Sequence, residues 1–267
     1  MLSLHRNTPW YSSAALGSYS VLQRMLGVNN LLACRIPRTL YFAYKRYLTD
    51  PYARLPRYLP NIYSGGSIFD VGANIGYTAS IFRAYLGRND YLYAFEAEES
   101  NAHALKLAAR TWSNVECLQC AVGDECRQIS LLVDPNHPGN HRVLREECLS
   151  MRGNTRTIKQ CPSITLDAFV DERSIAPSKI RFLKIDVQGF EPAVIAGAKN
   201  TLRHATNLSV SLEFEPTAIT DMGFDPNDLL SELRSLGFKL FQLLPTGRFQ
   251  PLSESASNGI QDILCLR

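Results

Sequence analysis

In the stretch FDVGANIGYTASIF, residues 69–82, an acid, an asparagine and two glycines separate a strand-like run from a helix-like one. Gly72 lets the chain turn where a Cβ would clash. A helix beginning near Ile75 offers free N–H groups to an electron-rich ligand, and Gly76 permits close packing of helix, strand and ligand. Glu96, in YAFEAEE at the end of the next strand, stands twenty positions after Gly76. There an acidic side chain accepts hydrogen bonds from both hydroxyls of a ribose. The spacing Gly72-x-x-x-Gly76 is not the G-x-G-x-x-G of a pyrophosphate cradle, which argues against a nicotinamide-dependent oxidoreductase. Asp70 suits a positively charged ligand part. Acids at these two places fit S-adenosylmethionine, which carries a ribose and cationic groups but no phosphate. The plainer alternative is that the glycines only make a tight strand–helix turn.

Methyl transfer from a sulfonium mostly requires donor and acceptor to be aligned, and a hydroxyl acceptor must also lose its proton. Asp186, at the end of IRFLKIDVQ, is the first candidate to take it. The alternatives are a helix N-cap or an ion pair with Lys184. Glu213 and Glu215 alternate with Phe214 and so face the same way. With Asp186 they form a candidate oxygen-ligand set for a divalent cation, or else a solvated strand end. In DPNHPGNHRV, Pro138 and Gly139 between His137 and His141 exclude a metal-binding helical face. Asn140, His141 and Arg142 resemble a polar segment that recurs in one family of methyltransferases, which implies a substrate loop with His141 as a second proton acceptor; the alternative is a surface histidine. Cys117 and Cys120 form a C-x-x-C that is set aside, because residues three apart on a strand point to opposite faces.

The elements that must position these groups follow from a strand–helix rhythm starting at Ser67. Strands are expected at SIFDVG, YLYAFEA, VECLQCAVG, QISLLVD, IRFLKIDVQ and LSVSLEFE. Helices are expected at IGYTASIFRAYLG, ending at Gly87 as C-cap, and at ESNAHALKLAARTW, capped by Ser100 or Glu99. Two more are EPAVIAGAKNTLRHA, with Pro192 in its first turn, and PNDLLSELRSLG. Residues 135–162 read as irregular. The alternation predicts an α/β fold with a mostly parallel sheet covered on both faces. FKLFQLLP and IQDILCL have no helix between them and should pair antiparallel.

Residues 1–60 lack this rhythm and are read as a mostly helical cover on a main domain of 61–267. Within the cover, RTLYFAYKRYLTDPYARLPRYLP interleaves basic residues with tyrosines. That mix binds single-stranded nucleic acid or packs its aromatics inward as a lid. A net charge of +3 on 267 residues, with 45% hydrophobic and 20% charged residues, favours the lid. No apolar run approaches a membrane span and no leader pattern is read. Seven scattered cysteines suggest free thiols and a cytoplasmic setting.

FDVGANIGYTA, YAFEAEESNAHAL, NVECLQCAVGD, ITLDAF, IRFLKIDVQGFEPAVIAGAKNTL and LEFEP together resemble the FkbM family of S-adenosylmethionine-dependent methyltransferases, in the family's order over residues 67–216. The resemblance implies a class I methyltransferase fold, a Rossmann-like doubly wound sheet. It also implies methylation of a hydroxyl on a saccharide or secondary metabolite, with a small-molecule or glycan acceptor and no nucleic-acid partner. Carried over by position, it implies that Asp70, Gly72, Asn74 and Gly76 form the cofactor turn and that Glu96, followed by Ala97, holds the ribose. Ala121, Val122 and Asp124 would lie near the adenine. Lys184, Asp186, Gly189 and Glu191 would form the second block, with Lys184 and Asp186 at the chemistry and Asp186 also beside the cofactor. Two positions depart from the family: Ala97 stands where proline is common, and Gln188 where glutamate is common. The second removes a carboxylate near the reaction centre. The alternatives are a nucleic-acid methyltransferase and a non-catalytic cofactor-binding protein of the same fold.

Overall fold

A computed structural model describes residues 35–48, 50–133, 141–144, 157–253 and 259–267. Residues 1–34 of the expected cover, and His137 and Asn140 of the expected substrate loop, lie outside the described residues. The chain begins with α1 (Arg35–Leu48) and tight turns through Tyr63, then alternates β1 (Ser67–Val71), α2 (Tyr77–Phe82), β2 (Leu92–Phe95), α3 (Glu99–Ala109) and β3 (Val115–Leu118). A second group follows: β4 (Ala121–Val122), β5 (Arg127–Val133), β6 (Arg142–Leu144) and β7 (Thr157–Ile164). Then come α4 (Leu166–Glu172), β8 (Ile180–Ile185), α5 (Glu191–Ala196), α6 (Lys199–His204), β9 (Ser209–Phe214), α7 (Pro216–Asp221) and α8 (Pro226–Ser235). The chain closes with β10 (Lys239–Leu243), β11 (Phe249–Pro251) and β12 (Gln261–Leu266).

The main sheet runs β11-β10-β12-β9-β8-β1-β2-β3. The pairs from β9 to β3 are parallel, while β12 is antiparallel to both β9 and β10. This is the expected α/β doubly wound sheet with an antiparallel C-terminal strand. Strand order reverses between β1 and β8, which makes the crevice outside their carboxyl ends the natural ligand site. Central strands are apolar because both faces are covered. One face packs on Phe169, Val194, Leu202 and Leu233; the other packs on Tyr52, Leu55, Tyr63 and Phe82. Each such fully buried large side chain contributes about 1.5–3 kcal/mol. Tyr63 is wholly buried and meets Phe82 and Phe182 ring to ring. The turns after α1 thus cover this face of the sheet.

Several expectations about the elements are corrected. VECLQCAVG is two strands: β3 closes the main sheet, while β4 joins a second sheet of order β4-β7-β5-β6. The run read as irregular contains β6 and β7. Pro162 is tolerated inside β7 because two-residue β4 pairs only with Ser163 and Ile164. The first helix ends early, passing into a 3-10 turn at Arg83–Tyr85, and Leu86 rather than Gly87 caps that turn. The cap of α3 is Glu98, whose carboxylate accepts the Asn101 N–H at 2.9 Å, rather than Glu99 or Ser100.

The helix read at 191–205 is broken at Gly197 into α5 and α6. A Cβ on Gly197 would stand 1.9 Å from the Gly123 carbonyl oxygen and 3.2 Å from Thr165 Cβ. Backbone cannot yield as a side chain does. Gly197→Ala is therefore expected to destabilise the protein by about 3 kcal/mol or more, against about 1 kcal/mol for an ordinary substitution. Denaturant unfolding would check this; a loss within experimental error would mean that the small sheet docks with slack.

Candidate active site

The turn after β1 is built around its own backbone. Gly72 has φ +76, and a Cβ there would lie 1.9 Å from the Asp186 carbonyl oxygen. Gly76 has φ +91, and its Cβ would meet Leu105 Cδ1 at 2.8 Å. The glycines thus clear space for β8 and α3. The space a Cβ would need at both glycines is taken up by protein. Asn74 is also left-handed, at φ +50, and its N–H donates to Glu96 Oε2 at 2.8 Å. Glu96 Oε1 accepts the Glu98 N–H at 3.0 Å. One carboxylate therefore joins the end of β2 to the turn after β1. Each oxygen has capacity for a second hydrogen bond, which suits the two hydroxyls of a ribose. Burial pushes the Glu96 carboxyl up to about 7 despite these donors.

Beneath the turn lies a buried charge row. Asp70 and Lys184 are register partners on β1 and β8. Asp70 is fully buried; Oδ2 accepts the Thr78 hydroxyl at 2.6 Å, and Oδ1 lies 3.6 Å from Lys184 Nζ. The cation that Asp70 meets is therefore this lysine, and its carboxylate does not reach the surface as the sequence reading expected. Lys184 Nζ also donates to the Gly72 carbonyl at 3.1 Å and lies 3.1 Å from Asp186 Oδ2. Burial alone would lower the lysine; Asp186 and Asp70 outweigh it and hold the ammonium above its ordinary range. Asp186 does not cap α5; the Val187 and Gly189 N–H groups go to Glu191 instead, at 3.0 and 2.9 Å. Of the three readings of Asp186, the ion pair is present. Burial pushes Asp186 up, but Lys184 and the Gln188 amide outweigh it and hold the carboxyl below the ordinary aspartate range. It still keeps 37% of its side-chain surface, so it can meet a substrate.

Next along the edge, Glu213 and Asp262 are register partners on β9 and β12. Tyr52, from the covering segment, donates its hydroxyl to Asp262 Oδ1 at 3.2 Å, and Ser211 Oγ also lies 3.2 Å from it. Burial, then the Asp186 charge, push Glu213 up to about 8 and Asp262 to about 6. The cation site expected from Asp186, Glu213 and Glu215 is not assembled. Among the described residues no group of three or more metal-ligating side chains converges. Glu213 takes the Gln188 amide at 2.8 Å, and Glu215 turns toward Arg142 at 3.9 Å.

The small sheet spans this edge. At one end Lys159 of β7 reaches Glu98 at 3.0 Å; at the other, Arg142 of β6 lies 3.9 Å from Glu215 and 3.8 Å from Asp221. Burial would raise Glu98, but the Asn101 N–H and Lys159 outweigh it, and the charge of His141 adds to the lowering. Ala121 and Val122 are buried in β4, Ala97 packs against the cluster that contains Phe190, and Asp124 is exposed. Burial pushes the Cys117 and Cys120 thiols up to about 11 and about 12, so neither is a ready nucleophile.

Sequence reasoning missed Gln188 as a bridge, and it missed Tyr52, Asp262 and the two ties of the small sheet. Asp262 did carry a signal, an acid within the apolar run IQDILCL.

The raised carboxyls have a measurable consequence. Glu213, Glu96, Glu191 and Asp262 titrate at about 8, 7, 7 and 6 in the folded protein, above their ordinary values. From about pH 4 upward the folded state holds protons that the unfolded chain has released, so stability falls as pH rises until the folded groups have ionised too. Tm of the ligand-free protein is expected to decline from about pH 5 to about pH 8. A Tm that climbs across that window would contradict this electrostatic picture.

The methyltransferase FkbM domain model matches residues 70–240. No curated protein matches the chain. Solved structures with a similar arrangement include an S-adenosylmethionine-dependent methyltransferase from Aquifex aeolicus, at 11% identity and TM-score 0.41, covering 84% of this chain and 92% of that one. Another is Aeropyrum pernix fibrillarin with natively bound S-adenosyl-L-methionine, at 12% identity and TM-score 0.41, covering 81% and 76%. A third is a TehB-like methyltransferase from Corynebacterium glutamicum, at 11% identity and TM-score 0.40, covering 82% and 88%. Among the described residues no helix is long and apolar enough to cross a membrane.

Proposed function

The chain belongs to the methyltransferase FkbM family, and from that premise we propose that this S-adenosylmethionine-dependent methyltransferase acts on a hydroxyl of a saccharide or secondary metabolite. The observation that carries this reading is the surface-reaching carboxylate of Asp186, held ionised by Lys184 beside the turn after β1. Such a group takes a proton from a hydroxyl as it becomes an ether. A thiolate acceptor, already without its proton, would not need it.

S-adenosylmethionine, when bound, supplies a methyl group on a positively charged sulfur. The residues at the edge fit such a ligand: Glu96 has unused acceptor capacity for a ribose, and the donor set carries no phosphate cradle. Glu96, the Asn74 turn and the backbone of Ala121 and Val122 would hold the nucleoside. With the methyl carbon passing from sulfur to oxygen, its carbon–sulfur bond broken and a neutral thioether left behind, Asp186 would take the proton that the acceptor oxygen sheds and pass it to solvent. Lys184 does not reach the acceptor, being 3% exposed. It is a positioning residue, joining Asp186 to the Gly72 carbonyl. Near neutral pH Glu213, pushed up to about 8, is largely protonated and Asp262, at about 6, is largely ionised, so the pair is suited to donate to and accept from acceptor hydroxyls.

The test is incubation of the protein with methyl-labelled S-adenosylmethionine and fractionated carbohydrate and small-metabolite pools, with the labelled product solved by mass spectrometry and NMR. An ether O-methyl group is expected. Label recovered on nitrogen or carbon, or only in nucleic acid, would overturn the reading.

A further inference from the structure

Asp186 follows Ile185, whose register partner on the neighbouring parallel strand is Leu212. Asp186 and Glu213 therefore leave the sheet side by side. Carboxyls so placed repel when both are ionised, and burial with the Asp186 charge already pushes Glu213 up to about 8; what fixes such a pair in place is commonly a bridging divalent cation. Here a neutral amide stands between them. Gln188 Nε2 donates to Glu213 Oε2 at 2.8 Å and to Asp186 Oδ1 at 3.3 Å. A primary amide nitrogen has two hydrogens, so each carboxyl receives one. The other Asp186 oxygen is held by Lys184 at 3.1 Å.

The backbone makes the choice of residue informative. Gln188 has φ +57, left-handed, where glycine or asparagine would sit with less strain. Gly189 follows at φ +100, and a Cβ there would lie 2.5 Å from the Ala218 carbonyl oxygen, so the turn cannot shift. A long side chain at a position that disfavours one is explained by what its tip does.

We infer that Gln188 is a positioning residue whose amide does what a bridging cation does elsewhere, fixing Asp186 and Glu213 as a pair so that this edge works without a divalent ion. The catalytic meaning of the pair rests on the role proposed above for Asp186. The bridge itself is testable without turnover, so the two can fail separately.

The experiment compares wild type, Gln188→Glu and Gln188→Met, all stripped of metal. Thermal unfolding and calorimetric titration with Mn2+ read the first prediction. Wild type is expected to be indifferent to the ion. Gln188→Glu, which adds a third carboxyl to Asp186 and Glu213, is expected to be less stable, to bind Mn2+ at least about tenfold more tightly than wild type, and to recover stability when it does. Gln188→Met keeps the length and loses both donors. Its Asp186 midpoint, read by carboxyl carbon NMR in the field of Lys184, Lys45, Asp70, Glu191, Glu213 and Asp262, is expected to rise by at least about half a unit. Mn2+ bound equally well by wild type and Gln188→Glu, or an unmoved midpoint in Gln188→Met, would overturn the inference. If Gln188→Glu does not fold, the Gln188→Met midpoint decides it.

Discussion

Glu96→Ala is expected to bind S-adenosylhomocysteine about a hundredfold or more weakly than wild type while remaining folded. The magnitude follows from two charge-assisted hydrogen bonds to ribose hydroxyls, each worth about 1.5–3 kcal/mol. The carboxylate also anchors the Asn74 and Glu98 N–H groups, so its removal loosens the turn that would meet the cofactor. Glu96→Gln separates the two contributions, since an amide oxygen can retain one backbone donor but not the charge. Burial pushes the carboxyl to about 7, and the acceptor form is the ionised one. Wild-type affinity should therefore weaken as pH falls through about 7 and level off above it, and Glu96→Gln should show no such limb. Calorimetric titration across this range reads both effects. Undiminished binding by Glu96→Ala would remove the ribose assignment.

The second large effect is expected at the neighbouring strand end. Asp186→Asn should lower the rate of methyl transfer by about a hundredfold to ten-thousandfold, the usual contribution of a positioned proton acceptor, while S-adenosylhomocysteine affinity changes only a few-fold. Single-turnover rates with labelled cofactor separate chemistry from product release. The pKa of Asp186, held below the ordinary aspartate range, fixes the shape of the pH profile too. Its base form persists below the ordinary aspartate range, so the wild-type single-turnover rate at saturating cofactor should lose little to Asp186 protonation near neutrality. Near-normal turnover by Asp186→Asn would move the proton acceptor elsewhere, with His141 the next residue to substitute.

The parts legible in the sequence were those governed by local chemistry. The strand–glycine–helix turn at 69–82, the Glu96 position and the antiparallel final strands each follow from spacing and turn residues, and the structure forms them. What escaped depended on distant partners. Gly197 reads as a tolerable glycine within a helix until Gly123 is seen against it. VECLQCAVG reads as one strand because nothing local says that two sheets share it. In β7, the buried Cys161 and Ser163 alternate with exposed Gln160 and Pro162, so a period-two signal was present, but the proline obscured it. The site divides the same way. Lys184 and Asp186 were legible as a pair on one strand, whereas Tyr52 meets Asp262 across most of the chain, a contact that no local pattern encodes.

The position of β12 sets the order in which the molecule can be completed. It lies between β9 and β10, antiparallel to both, so β10 and β11 form a hairpin with no place in the sheet until residues 261–266 arrive. One late insertion then zips two ladders at once, and it brings Asp262 under the Tyr52 hydroxyl in the same step. A chain emerging from the ribosome would already carry the β1 turn and Glu96, but not the far wall of the cleft. If Glu96 holds the nucleoside and Asp262 faces the acceptor, as proposed above, the two halves of the site would be completed at different times in synthesis.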